Sequence, residues 1–420
     1  MIRQTLLPLL AGIVILSSCN EDFGSKTVTY LKATAEYGDL EAMRSVSLTG
    51  HAREITDPGK IFVYNNVILV GEEGFGIHII DNTDPANPAP LSFINIPGNR
   101  EYFVLDGFLY AESVYDMLKI DIHDIHNPVL SGRIINAFTD PLYNSDGEAV
   151  IGFEYTQVTE KLEIDDPIFE YETSDNIYYY DFANSLIPPS AVPASFAGNS
   201  SSGIGSVNRI VAYDNYVYAV SREKMTVYES ENDFTQVFNS NLGWEMETVY
   251  PLGDRLFVGA RNSVDIYDIT DRGNPSYISG YAHMTSCDPV LPVNEETAYV
   301  TLRTGDFSEC PGDNNELLVL DITESNFTNQ VMSIQMDSPY GMTLIGDRLY
   351  VGEGKHGLKV FDVTDRRSPQ LISSDNSTEA YDVLIHPTYS DILLLANSEG
   401  LMQVRVDVEQ NLQFVSNIKF

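Results

Sequence analysis

Few residues of the sequence stand in a pattern that is typical of catalysis. Glu247 and Asp288 are carboxylates at the starts of predicted strands, and paired carboxylates perform acid–base chemistry only at a controlled separation. The segment "HDIH" offers His123 and His126 as a metal pair, but no third ligand cluster accompanies them. Because the two histidines occupy a predicted turn, we expect turn residues and no metal site. The carboxylate pair is the strongest enzymatic hypothesis.

A second motif, "GEGKHG" at Gly352 to Gly357, matches the dinucleotide fingerprint G-x-G-x-x-G. That fingerprint works when a helix N-terminus follows it and holds the pyrophosphate. Here a predicted strand follows, so the pattern indicates a hairpin turn. The chain also has one Trp, which argues against a quinone stacked between tryptophan-rich motifs. The sequence therefore predicts no cofactor.

The elements that must position these residues recur along the chain. Closely similar segments read "GIHIIDNTDPANPAPLS", "SVDIYDITDRGNPSYIS" and "GLKVFDVTDRRSPQLIS". An apolar run followed by aspartate occurs at Asp81, Asp121, Asp268, Asp321 and Asp362, with degenerate copies at Tyr228 and Asp407. Several steps, such as 81 to 121 and 321 to 362, span 40 or 41 residues. A period of this length indicates one small supersecondary unit per copy.

Each unit reads as four short strands joined by tight turns, which is typical of one blade of a β-propeller. The repeated aspartate ends the third strand, where its carboxylate can accept backbone N–H groups of the following turn. The sequence predicts an all-β, seven-bladed propeller over 59–420, with blades at 59–97, 98–138, 205–242, 243–281, 282–336, 337–376 and 377–420. Residues 139–204 break the period and are interpreted as an insertion after the second blade. An eighth, distorted blade is the alternative.

The N-terminus has the composition of an export signal. Arg3 precedes an apolar run from Leu6 to Leu16 that is too short to span a membrane, and small residues lead to Cys19. The segment "LSSC" resembles the lipobox of bacterial lipoproteins, which implies a signal peptide at 1–18 and a lipid on Cys19. Residues 19–58 are predicted to form a tether and a short helical segment capped by Asp39.

Two further thiols remain, at Cys287 and Cys310. The export signal predicts an oxidising compartment, so these two thiols are expected to form a disulfide.

The runs "IHIIDNTDPANP", "VDIYDITDRGNP" and "LKVFDVTDRRSP" resemble the LVIVD repeat, and the wider sequence is similar to the LVIVD-repeat lipoproteins of Bacteroidota. The resemblance covers nearly the whole mature chain, although Glu229 replaces the aspartate of one repeat. It implies a lipid-anchored β-propeller at the outer membrane, on its periplasmic or cell-surface side. It implies no established reaction.

In a propeller, the first strand of every blade lines the central channel, and its leading residues surround one mouth. Polar and aromatic residues occupy these positions: Lys60, Arg100, Glu101, Asn208, Arg209, Glu247, Asp288, Tyr340, Tyr381 and Asp382. Their convergence on the axis predicts a ligand-binding mouth. A wet, polar channel entrance without a ligand is the alternative.

Charge and composition restrict the partners of the protein. The chain has 24 basic and 61 acidic residues, a formal net charge of −37, which disfavours nucleic acid as a partner. The leading hypothesis is a non-enzymatic, lipid-anchored module that binds a partner protein or a glycan. The alternatives are a hydrolase or lyase acting on polysaccharide fragments through carboxylates such as Glu247 and Asp288, and a purely structural role beside a membrane assembly.

Overall fold

A computed structural model describes residues 25–138, 140–163, 177–181, 185–187, 209–221, 224–231, 234–242, 246–260, 263–282, 290–303, 315–323, 329–407 and 409–420. Within these residues, no helix is long and apolar enough to cross a membrane.

The first half of the chain contains an N-terminal segment and two blades, followed by three strands outside the ring. The N-terminal segment comprises β1 (Ser25–Gly38), α1 (Leu40–Arg44) and β2 (Thr49–His51). Blade 1 comprises β3 (Pro58–Tyr64), β4 (Val67–Glu72), β5 (Gly76–Asp81) and β6 (Ala89–Asn95), with β2 added at its outer edge. Blade 2 comprises β7 (Tyr102–Leu105), β8 (Phe108–Ser113), β9 (Asp116–Asp121) and β10 (Val129–Ile134). The strands outside the ring are β11 (Ala149–Glu163), β12 (Ile177–Asp181) and β13 (Ser185–Ile187).

Five further blades complete the ring. Blade 3 comprises β14 (Ile210–Tyr213), β15 (Tyr216–Val220), β16 (Lys224–Glu229) and β17 (Thr235–Asn241), and blade 4 comprises β18 (Met246–Leu252), β19 (Arg255–Ala260), β20 (Ser263–Asp268) and β21 (Ser276–Ala282). Blade 5 comprises β22 (Val290–Pro292), β23 (Thr297–Leu302), β24 (Glu316–Asp321) and β25 (Asn329–Gln335). Blade 6 comprises β26 (Met342–Ile345), β27 (Arg348–Gly352), β28 (Leu358–Asp362) and β29 (Gln370–Asp375), and blade 7 comprises β30 (Asp382–Ile385), β31 (Ile392–Asn397), β32 (Gly400–Val406) and β33 (Leu412–Lys419).

The seven sheets are antiparallel meanders, which confirms the predicted seven-bladed propeller. The second and third strands of a blade carry continuous apolar runs because neighbouring blades cover both of their faces. In blade 1, for example, Ile68, Leu69, Val70, Ile77 and Ile79 are at most 1% exposed. Burial of such side chains contributes roughly 1.5–3 kcal/mol each, which is the main force that holds blade against blade.

Side chains close the ring between blades 7 and 1, since all four strands of blade 7 come from the C-terminal end of the described chain. Asn82 and Gln403 are fully buried at this seam. The Gln403 Nε2 donates to Asn82 Oδ1 at 2.7 Å, and the Asn82 Nδ2 donates to Gln403 Oε1 at 2.9 Å. The Ser416 hydroxyl donates to the Pro85 carbonyl at 2.7 Å. The paired amides satisfy each other, so their hydrogen bonds offset the cost of burying polar groups at this seam.

The N-terminal segment differs in part from the sequence prediction. The short helix is present, and the Asp39 carboxylate caps it by accepting from Glu41 N at 2.9 Å. Residues 25–38, however, which the sequence analysis assigned to the tether and helical segment, form the 14-residue strand β1. Its alternating "TVTYLKATAEY" is rich in β-branched and aromatic residues, which favour a strand. It pairs antiparallel with β11 and parallel with β12, so the insertion forms a separate sheet instead of an eighth blade.

A buried ion-pair cluster fixes this segment to blade 2. Asp116, which is 1% exposed, accepts from the Arg44 guanidinium through two bonds of 2.9 Å and from Arg133 at 2.8 Å. Burial alone would raise the pKa of Asp116, but these bonds hold it below its usual value. The helix and the base of the ribbon formed by β1 and β11 are therefore held beside the loop between β8 and β9.

Candidate functional site: the channel mouth

The central channel is lined by the first strands of the blades. A cavity of about 240 Å³ has walls from Ile61, Val249, Leu291, Met342, Val383 and their strand neighbours. These side chains are apolar, whereas their neighbours Thr248, Tyr250 and Thr343 add hydroxyl groups to the walls.

Two kinds of loop surround the mouth at which the first strands begin. The connections between consecutive blades meet the hairpins between second and third strands, as the bond from Gly74 N to the Asn99 carbonyl at 2.8 Å illustrates. The turns that follow the repeated aspartates lie at the other end of the strands. The mouth therefore combines residues from two positions of each repeat.

Three predicted residues gather where blades 1 to 3 meet the mouth. The Lys60 ammonium, whose side chain is 4% exposed, lies 3.0 Å from the Glu101 carboxylate. Beside this pair, the Arg100 Nε lies 3.5 Å from the carboxylate of Glu73, a residue that the sequence analysis did not select. Burial lowers the pKa of Lys60, Glu101 opposes that effect, and nearby Arg209 lowers the pKa further. Two cations therefore repel each other here.

Arg209 is the third predicted cation of this cluster. Its Nε is buried and has no hydrogen-bond partner in the described part of the chain. Its charge acts on Lys60 and on Glu73, which places its guanidinium within electrostatic reach of both. A buried donor without an acceptor costs free energy, about 1–3 kcal/mol or more for a charged group. Such a group is an exception in a folded protein and requires an explanation.

Glu73 is the titratable group of this cluster with a strongly shifted proton affinity. Burial raises the pKa of its carboxyl to about 7, and Arg100 and Arg209 oppose that rise. Asp57 and Glu101 reinforce the effect of burial because they add negative charge nearby. Near neutral pH, Glu73 therefore neutralises the surrounding cations only partly.

The predicted aromatic residues also come together at the mouth. The rings of Tyr340 and Tyr381, both partly buried, are edge-to-face at 5.0 Å, and the Arg303 guanidinium lies 4.1 Å from the Tyr340 ring centroid. The Tyr381 hydroxyl donates to Glu379 at 2.9 Å; burial first, and then Glu379, raise the pKa of Tyr381 to about 12.

Asp382 is 1% exposed and packs against the backbone of Gly341, where an added Cβ would lie 1.6 Å from its Oδ1. Gly341 therefore cannot carry a side chain without displacing this carboxylate. This requirement links the start of blade 6 to the start of blade 7.

A buried ion pair supports the same side of the mouth. Glu353 is fully buried, its carboxylate lies 2.6 Å from the Lys359 ammonium, and it accepts from Asp337 N at 2.7 Å. These contacts belong to the "GEGKHG" hairpin, whose flanking strands β27 and β28 confirm the predicted turn. Here each charge has an opposite charge in direct contact, although Glu353 Oε2 makes no hydrogen bond of ordinary geometry among the described residues.

The repeated aspartates perform turn chemistry at the opposite end of the strands. Asp81, Asp268 and Asp362 each accept from the backbone N–H two residues later, at 2.8, 2.7 and 2.9 Å. His123 is bound to Asp121 within such a turn, at 2.8 Å. Among the described residues, no group of three or more His, Cys, Asp or Glu side chains could hold a metal ion.

Some predicted residues cannot be placed. Asn208, Asp288, Cys19, Cys287 and Cys310 lie outside the described residues. Glu247 lies on strand β18, but its side chain is not described. The lipidation, the disulfide and the proposed acid–base pair therefore remain predictions.

Sequence reasoning missed Glu73, Asn99, Arg303 and Glu353. Glu73, Arg303 and Glu353 lie in or next to hairpins between second and third strands, whose equivalent positions in the repeat could have been aligned as the first strands were.

No family model matches the chain, and no curated protein matches its sequence. Its resemblance to LVIVD-repeat proteins remains a prediction.

Comparison with solved structures finds similar folds. A functionally unknown protein from Desulfotomaculum acetoxidans has 10% identity and a TM-score of 0.52, with 84% of this chain and 96% of that chain covered. The computationally designed Ika8 protein has 9% identity and a TM-score of 0.50 over 89% and 92% of the two chains. The Pan2 WD40 domain of Neurospora crassa has 9% identity and a TM-score of 0.48 over 81% and 86%. At such low identities, the likeness concerns the fold alone.

Proposed function

We propose that this protein is a lipid-anchored binding module of the outer membrane that recognises a partner protein or a glycan at the channel mouth. The buried, unpartnered Arg209 Nε beside Lys60 is the observation that carries the proposal. Folding alone does not favour such an arrangement, whereas a bound ligand would satisfy it. Propellers in general are rigid scaffolds on which binding residues are placed by loops and strand ends.

The N-terminal ribbon supports the anchored arrangement. Strands β1 and β11 pair from Ser25 opposite Glu163 to Gly38 opposite Ala149. A strand of this length spans about 45 Å at roughly 3.3 Å per residue. Its base packs beside the loop between β8 and β9, where Tyr115 donates to the Val150 carbonyl at 2.9 Å. In this proposal, the ribbon joins the lipid on Cys19 to the mouth side of the ring.

The test is a ligand screen on the chain from Glu21 to Phe420, which contains every described residue. A glycan array and capture from outer-membrane extracts identify candidates, and direct binding is then measured for Arg100→Ala and Tyr340→Ala. Arg405→Ala is the matched control, because its partner Asp391 is half-exposed at the opposite face. We expect both mouth variants to lose the ligand and the control to keep it. Full retention by both mouth variants, at unchanged thermal stability, contradicts the proposed site.

A further inference from the structure

A second cavity, of about 750 Å³, lies between blade 1 and the last strand of blade 7. Its walls come from β5, the start of β6, the end of β33 and the segment 52–55. That segment belongs to the connection from β2, at the outer edge of blade 1, to β3, at the central channel. The volume lies in the range of about 300–1,000 Å³ that is typical of small-molecule sites.

Most of the wall of this cavity is apolar. The apolar side chains are those of Ile55, Ile80, Pro90, Ile418 and Phe420. Each CH₂ group of a ligand that is buried against such a wall contributes about 0.8 kcal/mol. The body of a matching ligand is therefore an alkyl chain and not a polar ring.

Two polar groups of the same cavity meet at one aromatic ring. Phe93 is 2% exposed, and its ring centroid lies 4.8 Å from that of His78 and 3.7 Å from the Arg53 guanidinium. His78 and Arg53 both line the cavity. The charge of Arg53 also acts on the proton affinity of His78. One small ligand can therefore reach both groups.

Arg53 offers hydrogen-bond donors to this cavity. Its guanidinium is stacked on Phe93 and makes neither a hydrogen bond nor an ion pair with the described residues. Stacking occupies the face of a guanidinium and leaves the N–H groups in its plane, where they bind a carboxylate through two parallel bonds. The other charged residues of the wall, Glu54 and Lys419, are both exposed and have opposite signs. The carboxylate is thus assigned from the geometry of Arg53 and not from an excess of charge.

His78 offers an acceptor. Its Nε2 lies 2.6 Å from the Glu72 carboxylate, which also accepts from Thr56 N at 3.2 Å. Burial would raise the pKa of Glu72, but the bonds from Thr56 and His78 hold it below its usual value. The ionised carboxylate can only accept, so Nε2 carries the proton.

The second ring nitrogen of His78 is consequently available to a ligand. Burial lowers the pKa of His78, although Glu72 opposes this effect, so the imidazole is neutral at pH 7. With the proton on Nε2, Nδ1 holds a lone pair and makes no hydrogen bond within the described part of the chain. It requires a donor such as a hydroxyl group.

We propose that this cavity binds a hydroxylated fatty acid, whose carboxylate pairs with Arg53, whose hydroxyl group donates to His78 and whose alkyl chain packs on the apolar wall. An unsubstituted fatty acid lacks the donor that His78 requires. A sugar acid has the carboxylate and the hydroxyl groups but lacks the alkyl chain. The site is separate from the channel mouth, so the inference does not depend on the proposed function.

The probes are 3-hydroxydecanoate, decanoate and 3-hydroxybutyrate, each below its micellar concentration, with the chain from Glu21 to Phe420. We expect 3-hydroxydecanoate to bind in calorimetry and to raise the melting temperature. Decanoate should bind about tenfold more weakly, because the bond to His78 is lost, and 3-hydroxybutyrate should not bind detectably, because its chain is too short to cover the wall. Absence of 3-hydroxydecanoate binding, or equal affinity for either of the other probes, overturns the proposal.

Arg53→Gln tests whether the probe binds in this cavity. We expect this variant to weaken 3-hydroxydecanoate binding about tenfold or more, and Arg53→Lys, which keeps the charge without the planar fork, to lie between it and the wild type. Arg405→Gln is the matched control and should keep wild-type affinity. Wild-type affinity in Arg53→Gln places the site elsewhere. A fall of the melting temperature by several degrees in Arg53→Gln shows that Arg53 holds the segment 52–57 on Phe93, which overturns its role in binding.

This proposal and the proposed function fail separately. Tyr340→Ala changes the mouth and should leave the affinity for 3-hydroxydecanoate unchanged. If Tyr340→Ala abolishes 3-hydroxydecanoate binding, then the probe binds at the mouth and the cavity proposal is wrong. If 3-hydroxydecanoate does not bind, but Arg100→Ala and Tyr340→Ala lose a ligand found in the screen, only the cavity proposal is wrong.

Discussion

The two ends of the strands use charged residues in opposite ways. At the end away from the mouth, aspartates such as Asp81, Asp268 and Asp362 recur with the repeat and make the same bond to the backbone two residues later. At the mouth, equivalent positions hold Lys60, Arg100 or Tyr340, which differ in side-chain chemistry and in their contacts. A residue that recurs with the period serves the blade, whereas a position that varies is free to serve the particular molecule.

Proton affinity shows the same contrast. Bonds from the backbone and side chain of Thr270 hold the pKa of Asp268 below its usual value, so this carboxylate is ionised and satisfied. Burial instead raises the pKa of Glu73 at the mouth to about 7. At the end away from the mouth, the charged groups stabilise the fold. At the mouth, the burial of charged groups lowers the stability of the folded protein, and such a local loss of stability is typical of functional sites.

The largest expected effect belongs to the buried ion pair between Glu353 and Lys359. Glu353→Ala should reduce the free energy of unfolding by about 3 kcal/mol, because it removes the buried carboxylate and leaves the Lys359 ammonium beside the exposed Asp337 carboxylate at 3.4 Å. Urea denaturation of the purified protein measures this loss. Asp391→Ala is the matched control, since its pair with Arg405 is half-exposed and such pairs contribute about 0–1 kcal/mol. Equal losses in the two variants would contradict the assigned burial.

An effect of opposite sign is expected for the mouth carboxylate with the raised pKa. In the unfolded chain, Glu73 ionises near its ordinary pKa of 4.5, whereas the folded protein keeps the proton until about pH 7. Stability contributed by this group is therefore present at low pH and lost as pH rises from 4.5 through 7. Glu73→Gln should stabilise the protein at pH 8 by on the order of 2 kcal/mol and leave it nearly unchanged at pH 4.

Thermal or urea unfolding of Glu73→Gln at pH 4 and pH 8 checks this dependence. Glu101→Gln serves as the comparison, because it removes the partner of buried Lys60 and should destabilise at pH 8. Destabilisation by Glu73→Gln at pH 8 would mean that the ion pair with Arg100 stabilises the folded protein by more than burial of the ionised carboxylate destabilises it.

The sequence allowed the fold and part of the site to be predicted, for a physical reason visible in particular residues. Turn chemistry is local, so the bond of Asp362 to Thr364 follows from a spacing of two residues. The ring then follows from repetition, and with it the placement of Lys60, Arg100 and Tyr340 on one mouth.

Contacts between distant segments could not be predicted in this way. The pair formed by Arg100 with Glu73 joins two loops, and the lack of a partner for Arg209 Nε depends on which acceptors lie near it in space. Strand β1 escaped prediction because its partners β11 and β12 lie more than a hundred residues away. Its own alternating sequence nevertheless favours a strand.

The smallest expected effect belongs to the turn aspartates. Asp268→Ala removes the acceptor of a 2.7 Å bond from Thr270 N, at a cost of about 1 kcal/mol at pH 7. The pKa of Asp268 is lowered in the folded protein, so this contribution is present above pH 4 and is lost as pH falls through the folded pKa. Asp268→Asn, which keeps an acceptor oxygen, should lose less.

Because Asp268 and Asp362 belong to different blades, the losses of Asp268→Ala and Asp362→Ala should be additive in the double variant. Binding of a ligand that the wild type recognises at the mouth should be the same in all three, since these turns lie at the far end of the strands. Loss of binding in a turn variant that remains folded would show that the two ends are coupled through the blades. The division between repeated residues that stabilise the fold and unrepeated residues that bind would then be wrong.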